Sequence, residues 1–179
     1  MKAQQRMIVG LAISFGMSVV LPSAHARCKS VQGHIVSELV GEFSDGTPCP
    51  SSLGLCTEGR FTGSLKGDFT FVAESLTPYA SLDSSAPGDV AATTGLVTLH
   101  SKICDGTLML QDTSTFSIAA DGTVGGIETV DGDASSGDCW NASGRMSYMG
   151  IFDAGCVDCK YKGEVCLDGN GDIGEEADD

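Results

Sequence analysis

Two carboxylic acids stand among apolar residues in segments that alternate between apolar and polar side chains. Asp112 lies between Leu110 and Phe116 on one face of its segment, and Glu128 shares a face with Val130. A carboxyl group inside an apolar interior has its pKa raised by desolvation, which suits a general acid or base. At the mouth of a barrel the same group would meet water or a backbone amide. The sequence therefore leaves two interpretations open, an internal acid–base group and a solvated carboxylate.

The segment Cys156-Val-Asp-Cys159 has the spacing of a redox or zinc motif. A redox pair of this kind normally opens a helix after a strand, whereas this one follows a glycine-containing turn between strand-like segments. Zinc would need a second ligand pair, and Cys49 and Cys56 are widely spaced for that purpose. We therefore predict a structural disulfide between Cys156 and Cys159 and no metal site.

Cysteine usage predicts an oxidised, disulfide-stabilised domain, in which each bridge contributes about 2–5 kcal/mol. The eight cysteines are Cys28, Cys49, Cys56, Cys104, Cys139, Cys156, Cys159 and Cys166. The sequence does not determine their connectivity. We predict that two bridges close short loops and that two join distant segments. These pairs are Cys49–Cys56, Cys156–Cys159, Cys28–Cys166 and Cys104–Cys139.

Four aromatic residues are candidate contacts for a ligand. Trp140 and Tyr148 each combine a large apolar surface with a hydrogen-bonding group. Phe69 and Phe71 lie on the apolar face of their segment. Trp140 also follows Cys139 directly, so packing against a disulfide is an alternative role for its ring.

The first 26 residues have the pattern of a cleavable export signal. Lys2 and Arg6 supply the positive start, an uncharged apolar run extends from Met7 to Val20, and small residues precede a cleavage site after Ala26. The apolar run is shorter than the roughly 20 residues that span a bilayer, and no second such run follows. We therefore expect an exported protein, periplasmic or extracellular, without stable membrane insertion.

Acidic residues dominate the charge. The formal net charge is -14, and it becomes -16 when Lys2 and Arg6 are removed with the signal. Nucleic acids and anionic membranes are bound through clustered basic residues, so the sequence argues against both partners. The end of the chain, residues 168–179, resembles a calcium loop, but Ile173 replaces its glycine and Asp179 replaces its bidentate Glu. We predict a disordered acidic tail, and the absence of a phosphate-binding loop motif predicts no cofactor.

Apolar residues recur with a period of two, and Gly and Asp mark the ends of the runs, which is typical of antiparallel sheet. The predicted strands are His34–Val40, Arg60–Leu76, Thr94–Ile103, Thr107–Ile118, Thr123–Val130, Gly144–Phe152 and Lys160–Leu167. Asp105-Gly106 and Asp121-Gly122 predict hairpins, whereas Asp131–Asp138 is predicted as an acidic loop.

Long strands with glycines on the apolar face, such as Gly67, favour a closed barrel over a sandwich. Residues 27–167 fit one domain, because no Pro- or Ser-rich linker divides them. The prediction from the residues is thus an all-β, single-domain antiparallel barrel.

Three glycine-marked segments resemble the strands of exported bacterial proteins similar to the allene oxide cyclase and dirigent barrel. They are Gly59–Phe69 (GRFTGSLKGDF), Thr94–Leu99 (TGLVTL) and Asn141–Gly150 (NASGRMSYMG). The resemblance covers about residues 59–167 and implies a calycin-like barrel of about eight strands with an apolar interior. It also implies a homo-oligomer, and some members of the family guide the cyclisation of a reactive small molecule.

The catalytic carboxylate of the plant cyclases has no counterpart here in a matching motif, although Glu38 and Glu42 lie near the predicted mature N-terminus. We therefore expect a non-catalytic role, either binding a small apolar molecule inside the barrel or acting as an extracytoplasmic structural or surface component. The alternative is a cyclase or isomerase of the allene oxide cyclase type, with Asp112 or Glu128 as the catalytic group and a small hydrophobic substrate.

Overall fold

Extended segments with alternating apolar and polar side chains make up most of the described chain. The computed structural model describes residues 26–79, 90–117, 122–153 and 156–168. Its strands are β1 (Arg27–Val40), β2 (Cys56–Phe61), β3 (Gly67–Tyr79), β4 (Val90–Ser101), β5 (Gly106–Ser117), β6 (Thr123–Gly137), β7 (Ser143–Asp153) and β8 (Cys156–Leu167). The predicted export signal (residues 1–26) and acidic tail (residues 168–179) lie outside the described residues, except for Ala26 and Asp168.

The eight strands form a closed antiparallel barrel in which every strand pairs with its neighbours in sequence order. β1 and β8 close the barrel, with a register that runs from Arg27 opposite Leu167 to Glu38 opposite Cys156. The prediction of an all-β antiparallel barrel of about eight strands is confirmed. No helix in the described part of the chain is long and apolar enough to cross a membrane.

The single strand predicted for Arg60–Leu76 is wrong. The chain forms two strands there, because β2 ends at Phe61 and β3 begins at Gly67. A 3-10 turn from Gly63 to Leu65 separates them, and Gly63 has φ +78°, a left-handed conformation that interrupts a strand and that glycine adopts readily.

The acidic loop predicted for Asp131–Asp138 is also wrong, because β6 continues to Gly137. The register between β5 and β6 shifts there, from Met109 opposite Asp131 to Thr107 opposite Ser136. The Ser135 hydroxyl accepts a hydrogen bond from the Met109 amide and donates one to the Asp131 carbonyl oxygen. This buried side chain bridges the irregularity, so the polar composition of the segment does not end the strand.

One half of the barrel, which we call the packed half, is filled by its own side chains. Its fully buried residues are Val31, Phe61, Leu65, Leu99, Leu108, Leu110, Met146 and Val165. Leu65 belongs to the 3-10 turn that covers this end, and Tyr161 holds the turn in place. The Tyr161 hydroxyl donates to the Thr62 carbonyl oxygen at 2.8 Å and accepts from the Leu65 amide at 2.9 Å.

Three disulfides join the strands and loops of the barrel: Cys28–Cys166, Cys49–Cys56 and Cys104–Cys139. These three predicted pairs are confirmed. The fourth is wrong, because Cys159 is a free, buried thiol. β8 is continuous from Cys156 onward, and positions three apart on one strand face opposite sides of a sheet, which opposes a bridge between them.

Candidate functional site

The other half of the barrel contains a cavity of about 110 Å³ and is called here the cavity half. Its wall is mainly apolar, with Ile35, Phe69, Val97, Phe116 and Phe152 among the lining residues. An eight-stranded barrel is just wide enough to be filled by side chains or to hold one small ligand. This barrel combines both outcomes, since one half is packed and the other is not.

Asp112 and Glu128 meet on the cavity wall. They are directly opposite each other in the pairing of β5 with β6, and each side chain is only 4% exposed. Both residues line the cavity. The interpretation of these groups as solvated carboxylates is therefore wrong, whereas their chemical role remains a prediction.

Asp112 is held by two hydroxyl groups. The Ser114 hydroxyl donates to Asp112 Oδ2 at 2.8 Å, and the Tyr148 hydroxyl donates to Asp112 Oδ1 at 2.8 Å. Ser114 lies two residues further along β5, on the same face of the strand. Each carboxylate oxygen thus accepts one hydrogen bond from the protein, which favours the ionised form.

Tyr148 reaches Asp112 across an entire strand, because Tyr148 is on β7 and Asp112 is on β5. The residue of β6 that lies opposite both Tyr148 and Ser114 is Gly126. A Cβ atom at this glycine would lie 2.7 Å from the Tyr148 hydroxyl oxygen and 2.8 Å from Ser114 Cβ. The missing side chain of Gly126 is what makes room for the Tyr148–Asp112 hydrogen bond.

Glu128 has a different environment from its neighbour. Its Oε2 atom is buried without a hydrogen-bond partner, and no described residue donates a hydrogen bond to this carboxyl group. A buried polar atom without a partner costs free energy, and such atoms are uncommon in folded proteins. An unpartnered carboxyl group on the wall of a cavity is therefore a candidate contact for a bound molecule.

Burial separates the two carboxyl groups electrostatically. Desolvation raises the pKa of Asp112 to about 6, although the hydrogen bonds from Ser114 and Tyr148 oppose the rise. Desolvation, together with the charge of Asp112, raises the pKa of Glu128 to about 8. Near neutral pH this arrangement favours an ionised Asp112 beside a protonated Glu128. Desolvation and the same negative charge also raise the pKa of Tyr148, which keeps its hydroxyl group protonated.

Cys159 lines the same cavity from β8. Desolvation, followed by the charges of Asp158, Glu128 and Asp112, raises the pKa of its thiol to about 12. The thiolate is the reactive form of cysteine, so the raised pKa disfavours reaction of this buried thiol in the folded protein.

The aromatic residues chosen from the sequence fall into two groups. Tyr148, Phe69 and Phe71 line the cavity. Trp140 does not, because it is 58% exposed in the turn between β6 and β7, at the packed end of the barrel. The structure therefore does not bring Trp140 to the candidate site.

Several polar lining residues were not singled out from the sequence: Ser37, Thr57, Thr93 and Ser114. Ser37 and Ser114 lie on the apolar faces of predicted strands, so a Ser there is a usable signal, whereas Thr57 and Thr93 lie outside the predicted strands and gave none. Gly126 carries no such signal, because its role depends on which strands lie on either side of it. Within the described ranges, Cys28, Glu164 and Cys166 form a group of metal-ligand type, but both sulfur atoms are used in their disulfide.

No family model, curated protein or solved structure matches the chain. The resemblance to the allene oxide cyclase and dirigent barrel therefore stays a prediction.

Proposed function

We propose that this chain is an exported binding protein that takes a small, largely apolar molecule into the cavity half of its barrel. The observation that supports this most directly is the contrast between the two halves. A barrel with a purely structural role has no need for unfilled space, yet here an apolar cavity surrounds a pair of buried carboxyl groups. The disulfides and the predicted export signal support an oxidising, extracytoplasmic location.

The size of the cavity limits the part of a ligand that can be enclosed. An apolar cavity of about 150 Å³ accepts benzene, so the smaller volume here suits the end of a chain, or part of a ring whose remainder extends out of the cavity. Leu39 lines the cavity and is 41% exposed, so it marks the place where the rest of a larger molecule would leave the barrel.

Native mass spectrometry of the protein from its own host tests the proposal. We expect a small-molecule adduct that is lost on denaturation. A Ser37→Leu variant, which fills the cavity from β1, should lack the adduct. The matched control is Ser30→Leu, because Ser30 is exposed on the same strand and its replacement should leave the adduct in place. An adduct that persists in Ser37→Leu, or its absence from the unmodified protein, would contradict binding in the cavity.

A second candidate function is proton-transfer catalysis by an isomerase or cyclase. The observation in its favour is that two neighbouring carboxyl groups differ in hydrogen bonding and in pKa, which is how acid and base roles are separated within one site. Against it, both Asp112 oxygens already accept hydrogen bonds, which lowers their basicity.

Hydrogen–deuterium exchange distinguishes catalysis from binding. A catalytic Asp112 would remove a proton from carbon next to the carbonyl group of cyclohexanone and return a deuteron from heavy water. Exchange faster than in buffer, and lost in Asp112→Asn, would establish catalysis. Exchange at the buffer rate in the presence of bound cyclohexanone would support binding without catalysis.

A further inference from the structure

We propose that the preferred ligand is electrically neutral and presents a hydrogen-bond acceptor, such as a carbonyl oxygen, to the carboxyl group of Glu128. This inference rests on the proposed function and names the chemical class of the molecule bound in the same cavity.

Hydrogen-bond donors are distributed unequally between the two carboxyl groups. Ser114 and Tyr148 both donate to Asp112, one to each oxygen, whereas no described residue donates to Glu128. Ionising two adjacent carboxyl groups in an apolar interior costs a large free energy, because both burial and the neighbouring like charge disfavour the charged form. The one that receives hydrogen bonds keeps the charge, so the proton resides on Glu128.

A protonated Glu128 offers the bound molecule a hydrogen-bond donor. It carries one O–H donor in addition to its acceptor oxygen, whereas an ionised group can only accept. Among the described residues Glu128 has no hydrogen-bond partner of its own, and it lines the cavity. A carbonyl, ether or alcohol oxygen on a bound molecule would provide the missing partner.

The charges around Glu128 disfavour an anionic ligand. Asp112 places a buried negative charge beside the site, so an anionic ligand would meet both repulsion and a large desolvation cost. The other titratable groups that face Glu128 are Tyr148 on β7 and Cys159 and Tyr161 on β8. All three have a raised pKa and are uncharged near neutral pH. No positive group among them compensates an anion.

The experiment compares four probes built on one six-membered ring, with affinities measured by NMR titration of the wild-type protein near pH 7, between the pKa values of Asp112 and Glu128. The probes are cyclohexane, cyclohexanone, cyclohexanecarboxylate and cyclohexylammonium. We expect cyclohexanone to bind roughly fivefold to tenfold more tightly than cyclohexane, which is the value of one enclosed hydrogen bond. We expect the carboxylate to bind more weakly than either neutral probe.

Two variants assign the preference to Glu128. Glu128→Gln keeps an N–H donor and should retain the preference for cyclohexanone, and it should also abolish the loss of cyclohexanone affinity that we expect at higher pH. Glu128→Leu should bind cyclohexane and cyclohexanone equally. If Glu128→Leu fails to fold, the probe series with the wild-type protein and Glu128→Gln still tests whether Glu128 causes the preference for cyclohexanone.

The outcomes separate the two proposals. Equal binding of cyclohexane and cyclohexanone, or tightest binding of cyclohexylammonium, would overturn the ligand class and leave the binding function intact. A failure of both neutral probes to bind would overturn both proposals. Tightest binding of the carboxylate would show that Glu128 does not hold the proton and would likewise overturn the ligand class.

Discussion

The Tyr148 hydroxyl on β7 donates a hydrogen bond to Asp112 Oδ1 on β5, 2.8 Å away, across the intervening strand β6. Side chains on strands that are two apart rarely meet unless the strand between them leaves a gap. Gly126 provides that gap, because it lies opposite Tyr148 on one side and Ser114 on the other. A single glycine therefore determines how the buried carboxyl group of Asp112 is held.

Replacing Gly126 with alanine should break this arrangement. The new Cβ atom would lie 2.7 Å from the Tyr148 hydroxyl oxygen and 2.8 Å from Ser114 Cβ, so the ring must move away from Asp112. We expect Gly126→Ala to lower the free energy of unfolding by about 1–3 kcal/mol, the usual cost of overpacking. Urea denaturation measures the change.

The neighbouring glycine provides a matched control. A Cβ atom on Gly125 would meet only the Tyr148 carbonyl oxygen, at 3.4 Å. Gly125→Ala should therefore change stability by less than about 0.5 kcal/mol, as is usual away from packed or special sites. Equal effects of the two substitutions would show that contact with Tyr148 is not what Gly126 permits.

Replacing Tyr148 with phenylalanine removes one of the two donors to Asp112. The hydrogen bond from Tyr148 lowers the pKa of Asp112, so its loss should raise that pKa further above its value of about 6. Carbon-detected NMR titration of the Asp112 carboxyl group measures this. Tyr161→Phe is the control, because the Tyr161 hydroxyl bonds to the backbone in the packed half and should leave the Asp112 titration unchanged.

The stability of the fold should decrease as the pH rises. The pKa of Glu128 increases from 4.5 to about 8 on folding, so the folded state binds more protons than the unfolded state between these values. Stability from this group is fully present below about pH 4.5 and is lost as the pH rises through about 8, by at most about 1.4 kcal/mol per pH unit.

Thermal unfolding from pH 4 to pH 9 tests this expectation. Glu128→Gln should remove most of the decline above pH 6, because the remaining contribution of Asp112 ends near its own pKa of about 6. A wild-type protein with constant stability over this range would contradict a buried carboxyl group that keeps its proton.

The period of two was sufficient to predict antiparallel strands and to place Asp112 and Glu128 on apolar faces, but it left open whether these groups are buried or solvated. It acts through a local constraint, since successive side chains on a strand face opposite sides. The pairing of Asp112 with Glu128 needed the register between β5 and β6, and the contact of Asp112 with Tyr148 needed the order of three strands. Neither is a local property, so the sequence pattern could not supply them.

The errors also have local causes. The predicted strand Arg60–Leu76 included only the last two residues of β2, which begins at Cys56 and ends at Phe61. The predicted bridge between Cys156 and Cys159 relied on short loop length. The chain is a continuous strand there, and Cys159 is free and buried.

Removing the Cys28–Cys166 disulfide should destabilise the protein more than removing Cys49–Cys56. The first pair is separated by 138 residues and the second by 7. Restricting the longer loop of the unfolded chain is worth about 5 kcal/mol, compared with about 2 kcal/mol for the shorter one. Paired Cys→Ala variants compared by urea denaturation test the difference, and equal losses would argue against the loop-entropy explanation.

Cys159 should resist alkylation in the folded protein and react once the protein is unfolded. Its side chain is 1% exposed, and desolvation raises the pKa of its thiol to about 12, so both access and the reactive thiolate are lacking at pH 8. Treatment with iodoacetamide, with and without denaturant, followed by peptide mass spectrometry, locates the label. Because the thiol lines the cavity, Ser37→Leu provides the control for access through that space. Faster labelling of the wild-type protein than of this variant would show that reagent reaches Cys159 by way of the cavity, whereas labelling of neither before unfolding would confirm a closed, inert thiol.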